Sequence, residues 1–252
     1  MNLISNPQNN TNYCNICHSG WIEPVQINST YPTNPIYSDP FPTMGGSEST
    51  VFIDQWLNNP IILVPSTVVE GPKEPINDVQ KFLECLNMSQ GAKLTIYVEQ
   101  PKPNTSDVVN MIGGVGHTFM SIQQNNQIKV LGFYPQSNST SPIKPSSEGS
   151  YGDDSNHVYH TSVSVNITST QLQNIINYIC NNTSTYNLNS YNCTDFAIVV
   201  SNLAGLNLPD SYGSWLGGGG SNPGVLGQYI RGLQGSVQSN TNLYAPQSTK
   251  CN

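Results

Sequence analysis

One stretch of the chain is apolar on nearly all sides when it is drawn as a helix. It runs from Cys193 to Gly205, with the sequence CTDFAIVVSNLAG, and it leaves almost no polar face. A helix of this kind is buried in a core, because it has no face to turn toward water. Any fold that this chain adopts must therefore bury this segment. Gly205 is well placed to end the helix, since glycine readily takes the left-handed conformation found there.

The segments before this helix predict a sheet that covers it. KLTIYVEQ and HVYHTSVSVNI alternate as strands, and GHTFMSIQQNNQIKVLGFYP forms two strands joined at Asn125 and Asn126, a typical hairpin turn. PINDVQKFLECL and TSTQLQNIINYICNN have helical spacing, with Thr168 or Ser169 as the cap of the second, and VLGQYIRGL is a last helix. The order is helix, strand, hairpin, strand and then helices. This segregation predicts the α+β class.

Composition divides the chain into three parts. Residues 1–72 are rich in Pro, Asn, Ser and Thr and are expected to form an extended N-terminal arm that packs on the main domain. Residues 73–235 form that main domain, and residues 236–252 are expected to be a poorly ordered tail. Inside the main domain, QSNSTSPIKPSSEGSYGDDSN is predicted to be a mobile flap or a surface insertion, with Asp153 and Asp154 in a turn. The run GGGG is predicted to be a flexible linker or lid.

Charge and hydropathy exclude several classes of function. Only 9% of residues are charged and the net charge is -7, which is poorly suited to nucleic acid. No apolar run approaches the roughly 20 residues of a membrane-spanning helix, so no transmembrane segment is expected. The first residues lack the basic and apolar regions of a standard signal peptide. We therefore expect a soluble protein, cytoplasmic at synthesis, whose export would need a dedicated secretion system.

The six cysteines are too sparse for a disulfide scaffold. Cys85 and Cys180 fall in helical patterns and are predicted to be buried thiols. Cys14, Cys17 and His18 in CNICH match the pattern of haem attachment, and a zinc site there would need a distant fourth ligand such as His157, His160 or Cys251. An ordinary arm, with or without a reactive thiol pair, is the preferred interpretation. No metal and no cofactor are expected.

Cys193 is the candidate nucleophile. At the first turn of a helix, unpaired N–H groups and the helix dipole lower the pKa of a cysteine. The alternative is a buried thiol without chemistry. The candidate base is His117, which opens a strand after Gly113, Gly114 and Gly116 and shares a face with Phe119 and Ser121. We expect the Cys193 helix to pack on that face, which would bring the imidazole to the thiol.

The register of the predicted hairpin suggests a third member of the site, beside Cys193 and His117. If Asn125 and Asn126 form a two-residue turn, Gln124 pairs with Gln127 and His117 pairs with Tyr134. Tyr134 or Gln136 would then orient the imidazole ring. Backbone N–H groups at the helix start are expected to stabilise an oxyanion, helped by Tyr191, and the neighbouring residues Asn192 and Gly116 are further candidates for oxyanion or substrate contact.

Two short motifs carry a resemblance to a known family. GHTF on a strand, followed much later by YNCTDFA at the start of a buried helix, resembles the circularly permuted branch of the NlpC-type papain-like fold, which includes lecithin:retinol acyltransferase-like proteins and some bacterial hydrolases. The resemblance covers roughly residues 90 to 210. It implies an antiparallel sheet packed on the Cys193 helix, with Cys193 as nucleophile, His117 as base and a polar residue on the next strand as the orienting group.

The predicted activity is therefore that of a cysteine peptidase or amidase. The resemblance points to amide bonds in bacterial cell-wall peptides, and an antibacterial effector with an immunity or delivery partner is a coherent hypothesis. One alternative is a thiol acyltransferase or phospholipase that acts on lipid. Another is a non-catalytic binding module of the same fold, in which Cys193 is only packed.

Overall fold

In a computed structural model, the chain is described over residues 69–110, 114–136 and 140–251. The predicted N-terminal arm, apart from residues 69–72, lies outside these ranges, as do Cys14, Cys17 and His18. The described strands are β1 Pro75–Ile76, β2 Ala92–Glu99, β3 His117–Gln124, β4 Gln127–Pro135, β5 Ser146–Asp153, β6 Val158–Ile167, β7 Thr185–Asn187, β8 Tyr212–Trp215, β9 Gly218–Ser221 and β10 Val237–Tyr244. The described helices are α1 Val79–Leu83, α2 Ser169–Asn181, α3 Cys193–Leu203 and α4 Pro223–Arg231.

An antiparallel sheet organises these elements. Its strand order is β1-β5-β4-β3-β2-β6-β10, with β7 paired to β5 outside this path, and β8 and β9 form a separate hairpin. The ladders within it are all antiparallel. The α+β prediction is therefore confirmed, as is the antiparallel sheet. Among the described helices, none is long and apolar enough to cross a membrane.

Helix α3 packs against β3, β4 and α2. Phe196 and Val200 on α3 are fully buried, and so is the α2 stripe predicted from the sequence, which consists of Leu172, Ile175, Ile176 and Ile179. Each such side chain contributes about 1.5–3 kcal/mol when it leaves water. Thr168 caps α2 in a capping box with Gln171. The apolar helix therefore lies in the core, and Gly205 follows it with a φ of 84°.

The central hairpin has the predicted register. Gln124 pairs with Gln127, and Phe119 pairs with Gly132. Asn125 adopts a φ of 53°, the left-handed conformation that such a turn requires and that asparagine tolerates. Strand β3 consequently begins at His117, beside the end of β4.

The segment predicted as a mobile flap or surface insertion contains a strand, so that prediction was wrong for residues 146–153. Strand β5 pairs with β4 through Phe133 opposite Tyr151 and Gly132 opposite Gly152. Its glycines serve the aromatic rings of β4: a β-carbon on Gly149 would lie 2.5 Å from Cε2 of Phe133. The segment has the composition of a loop, but it forms a strand. Its small residues leave space for the aromatic side chains of β4.

The tail prediction was also wrong, because residues 237–244 form edge strand β10, which pairs with β6. Farther on, Val130 N–H donates to Ser248 Oγ (3.0 Å) and Lys129 Nζ donates to the Thr249 carbonyl (2.5 Å). A disulfide joins Cys251 to Cys85, so Cys85 is not the buried thiol that its helical pattern predicted. Backbone pairing holds β10 even though most of its side chains are polar and exposed.

Candidate active site

Cys193 is the first residue of α3 and is only 5% exposed. Asn192 caps the helix: its Oδ1 accepts from Thr194 N–H at 2.8 Å, and the Asp195 carboxylate accepts from Asn192 N–H at 2.8 Å. These bonds form a capping box, which fixes where the helix begins. The thiol is therefore held at the positive end of the helix dipole.

His117 is the first residue of β3 and is buried. Its Nε2 lies 3.1 Å from Asp154 Oδ2, and the Cys193 side chain is near enough to raise the pKa of the ring. Because Nε2 is bound to Asp154, the nitrogen left for the thiol is Nδ1. The structure thus brings together the predicted nucleophile and the predicted base.

The pKa of His117 is raised to about 10. Burial alone would lower this pKa, but the charge of Asp154 and then that of Cys193, with hydrogen bonds to both, outweigh burial. The imidazolium form of His117 is therefore favoured in this site.

The geometry of this contact differs from our expectation. His117 stacks on Phe119, with ring centroids 5.6 Å apart, but α3 meets the other face of β3. On that face, Thr118 Oγ1 lies 3.1 Å from Thr194 Oγ1, and this hydrogen bond joins β3 to α3. Thr118 directly follows His117, and Thr194 directly follows Cys193. The prediction that α3 packs on the Phe119 face was wrong. His117 reaches Cys193 because it stands at the very start of the strand.

Asp154 orients His117, a role that the sequence did not suggest. We expected Asp153 and Asp154 to form a turn; Asp153 does accept from Ser155 N–H at 3.0 Å, but Asp154 is 4% exposed and lies against His117. A β-carbon on Gly132 would lie 2.5 Å from His117 Nε2 and even closer to Asp154 Oδ2. Gly132 in β4 is therefore what lets the imidazole and the carboxylate meet.

Tyr134 belongs to the site but not as the group that orients the ring. Its ring centroid is 4.5 Å from that of His117, and its hydroxyl donates to Asp154 Oδ1. Burial, followed by the charge of Asp154, raises the pKa of Tyr134 well above its usual value, so it remains a donor. Gln136, the other candidate, is exposed beyond the end of β4 and does not line the site.

The predicted oxyanion residues have other roles. Tyr191 hydrogen-bonds with the Tyr178 hydroxyl and packs on Phe133. Asn192 Nδ2 donates to the carbonyls of Leu188 (3.1 Å) and Ser221 (2.9 Å), so its amide is used in the cap.

Gly116 lines the cleft described below and allows a close approach of two backbone segments. Its φ is 74°, and a β-carbon there would collide with the Glu99 carbonyl oxygen. It therefore supports the strand that carries His117.

Tyr186 was not recognised from the sequence. It is 1% exposed, and its hydroxyl interacts with both the side chain and the backbone N–H of Cys193. Burial, followed by the charges of Cys193 and Asp195, raises its pKa well above the usual value. Tyr186 lies on the three-residue strand β7, which is too short to be seen as a strand in the sequence.

A cleft of about 700 Å³ opens beside this site. His117, Tyr134 and Asp154 line it, whereas Cys193 lines a separate void of about 10 Å³. Val115 borders both spaces. Cys193 therefore borders the small void and not the cleft.

A second histidine extends the polar network into the cleft. His157 Nε2 lies 3.1 Å from Glu99 Oε2, and its Nδ1 lies 3.6 Å from Asp154 Oδ1. Burial would raise the pKa of Glu99, but the hydrogen bond and charge of His157 outweigh it and lower that pKa. His160 is instead bound to Gln100 N–H at 3.0 Å through Nδ1. Neither histidine is joined to Cys251, which is in the disulfide.

The thiol, imidazole and carboxylate come from three separate elements: the start of α3, the start of β3 and the residue after β5. No known protein family, curated protein or solved structure matches this chain. What the site can do must therefore be argued from its own geometry. A buried Cys, His and Asp in sequential contact can activate a nucleophile and transfer a proton.

Proposed function

We propose that the protein is a cysteine hydrolase with Cys193 as nucleophile, His117 as proton carrier and Asp154 as the orienting carboxylate. The observation that carries the proposal is that the buried His117 bonds Asp154 at 3.1 Å while Cys193, at the start of α3, also raises its pKa. A merely packed cysteine needs neither an imidazole nor a carboxylate behind it. Burying such groups is costly unless they are paired, so their joint burial favours a chemical role.

The mechanism follows from the hydrogen bonds. The Cys193 thiolate attacks a carbonyl carbon, and the oxyanion forms beside the positive N-terminal end of α3. His117 then gives its proton to the leaving amine. A water molecule, deprotonated by His117, attacks the thioester and releases the acid, which regenerates the thiolate and the imidazolium. Asp154 holds the ring in place throughout, and Tyr134 holds Asp154.

The order of elements supports the permuted papain-like fold as a proposal. The histidine strand precedes the cysteine helix, and the helix packs on that strand and on β4. The orienting group differs from the expected one, since it follows β5 rather than lying on β4.

We propose a peptide amide as the substrate, with cell-wall peptide as the first candidate. Most of the residues that line the cleft are of polar or charged type, and they include Glu99, His157 and Lys73. Such a lining suits a peptide better than an acyl chain. The disulfide between Cys85 and Cys251 is typical of an oxidising compartment, which supports export. The effector role, with its immunity or delivery partner, is proposed on the resemblance alone.

A lipid substrate is the second candidate, because of one observation. Ile143 is 94% exposed and Leu216 is 78% exposed. Their loops are adjacent, since a β-carbon on Gly217 would lie 3.3 Å from Cβ of Pro142. An exposed apolar pair of this kind can enter a lipid surface.

Thiol labelling tests the proposal. We expect iodoacetamide to label Cys193 at mildly acidic pH faster than it labels Cys180, a thiol outside the disulfide that serves as internal control. His117→Ala should abolish this difference, because the thiolate loses its cation. Equal labelling of Cys193 and Cys180 in the wild type would refute the proposal.

Product analysis separates the two substrates. Purified peptidoglycan and phospholipid vesicles are each incubated with the wild type and with Cys193→Ala, and the products are measured by mass. Cleaved peptide that depends on Cys193 supports the peptidase, whereas released fatty acid supports the lipid alternative.

A further inference from the structure

The void beside Cys193 is the right size for a single oxygen atom. Its volume is about 10 Å³, and Cys193, Tyr186 and Trp215 are among the residues that line it. A space of about 10–15 Å³ is the least that holds one water molecule. The carbonyl oxygen of a substrate attacked by Cys193 needs a space of this size next to the sulfur.

Trp215 lines this void and carries an unsatisfied donor. Its Nε1 is buried and has no hydrogen-bond partner among the described residues. An indole N–H can only donate, and nearly all buried N–H groups in proteins are paired. Gln228 Nε2 is likewise unpaired, but Gln228 does not line the void. Trp215 is thus the lining residue that offers an unused donor.

The hairpin holds the indole in this position. Trp215 ends β8 and pairs with Gly218 of β9. A β-carbon on Gly218 would lie 2.9 Å from Trp215 Nε1 and would collide with Asn189 Oδ1, so glycine is needed there. Asn189 Oδ1 is itself unpaired and does not accept from the indole. The glycine run is therefore a packed strand and not the flexible linker or lid that we predicted.

We propose that the Trp215 indole N–H donates to the oxyanion in the 10 Å³ void, a role that rests on the proposed function. When Cys193 Sγ bonds to the carbonyl carbon, the π electron pair of the carbonyl moves to oxygen. The Trp215 N–H holds this oxygen. As the pair returns, the bond to the leaving group breaks and His117 supplies the proton that the leaving group takes.

Two probes that differ in transition state test this role. Acylation of Cys193 by p-nitrophenyl acetate passes through an oxyanion, whereas alkylation by iodoacetamide does not. Trp215→Phe removes the N–H and keeps an aromatic ring. We expect its acylation rate to fall about 10²-fold, which is typical of the loss of one oxyanion donor, while its alkylation rate stays within about twofold of the wild type.

Tyr212→Phe is the matched control, because Tyr212 lies on the same strand but is exposed. It should leave both rates unchanged. Equal acylation by Trp215→Phe and wild type would overturn the donor role, and a parallel fall in both rates would overturn it in favour of a structural role. A wild type that neither acylates nor alkylates rapidly would instead refute the proposed function itself.

A measurement on the wild type covers the case in which Trp215→Phe does not fold. The chain has three tryptophans, so three indole N–H resonances are expected in a ¹⁵N spectrum. The one assigned to Trp215 through its proximity to Gly218 should move downfield when Cys193 is acylated, because the thioester carbonyl then accepts from it. An unmoved resonance would contradict the proposal.

Discussion

At the scale of single residues, the candidate site depends on a glycine that carries no chemistry. Gly132 leaves the space in which His117 Nε2 and Asp154 Oδ2 approach to 3.1 Å. Its neighbour Tyr134 anchors the other carboxylate oxygen. The orientation of the imidazole is thus set by the backbone of β4 as much as by any side chain.

Gly132→Ala should therefore disable the site without touching Cys193. The new methyl group must displace either the imidazole or the carboxylate, and a misplacement of about 1 Å costs about 10²-fold in rate. We expect the acylation of Cys193 by p-nitrophenyl acetate to fall by that factor. Gly232→Ala is the control, because Gly232 has an ordinary helical φ of -78°. If both variants acylate like the wild type, the His117–Asp154 contact is not needed for reactivity.

Asp154→Asn should change the pH dependence of stability. Burial lowers the pKa of His117, and the charge of Asp154 is the largest effect that raises it to about 10. A histidine with a raised pKa stabilises the fold fully below its unfolded pKa of about 6.5 and loses that contribution as pH rises toward about 10. The unfolding free energy of the wild type should therefore be higher than that of the variant. This difference should be largest near pH 6 and smallest near pH 10.

Urea unfolding across this range measures the difference. Asp153→Asn is the control, since Asp153 bonds Ser155 and Ser248 rather than a histidine. Its difference from the wild type should not follow the titration of His117. A pH-independent deficit in Asp154→Asn would show that the carboxylate does not hold a charged imidazole.

At the scale of elements, local chemistry was sufficient to predict some parts of the structure. The Asn125 turn, the Thr168 cap and the buried helix α3 depend on residues adjacent in sequence, and all are present. Strand β5 and Asp154 were missed because their signals are non-local. The glycines of β5 make room for rings on β4, and Asp154 reaches His117 only once β5 is recognised as a strand.

The cap of α3 should couple stability to reactivity. Asn192→Ala removes an acceptor for Thr194 N–H and two donated bonds to carbonyls. Loss of a cap costs about 0.5–2 kcal/mol, and the first turn that holds Cys193 should loosen. We expect lower stability in urea and slower alkylation of Cys193.

Thr168→Ala provides the comparison, because Thr168 forms the capping box of α2. Its unfolding free energy should fall by a similar amount to that of Asn192→Ala, while the alkylation rate of Cys193 stays unchanged. If the two variants affect the thiol equally, the cap at Asn192 has no special role in the site.

At the scale of the whole molecule, a disulfide and the C-terminal segment join distant parts of the described chain, in addition to the packing of the core. The disulfide joins Cys85, just after α1, to Cys251 across 166 residues of sequence. Between them, the C-terminal segment lies along β4 through Ser248 and Thr249. The pairing could not be read from the spacing of six cysteines, because it depends on how the sheet folds.

Removing this bond should weaken the fold but spare the site. In the Cys85→Ser, Cys251→Ser double variant we expect the unfolding free energy to fall by about 2–4 kcal/mol, the range found for disulfides that close long loops. Amide exchange at Ile128 and Val130 should accelerate, since their N–H groups donate to Thr249 and Ser248. Alkylation of Cys193 should not change, because neither sulfur lines its void. A large loss of Cys193 reactivity in the folded variant would instead mean that the C-terminal segment supports the site through the sheet.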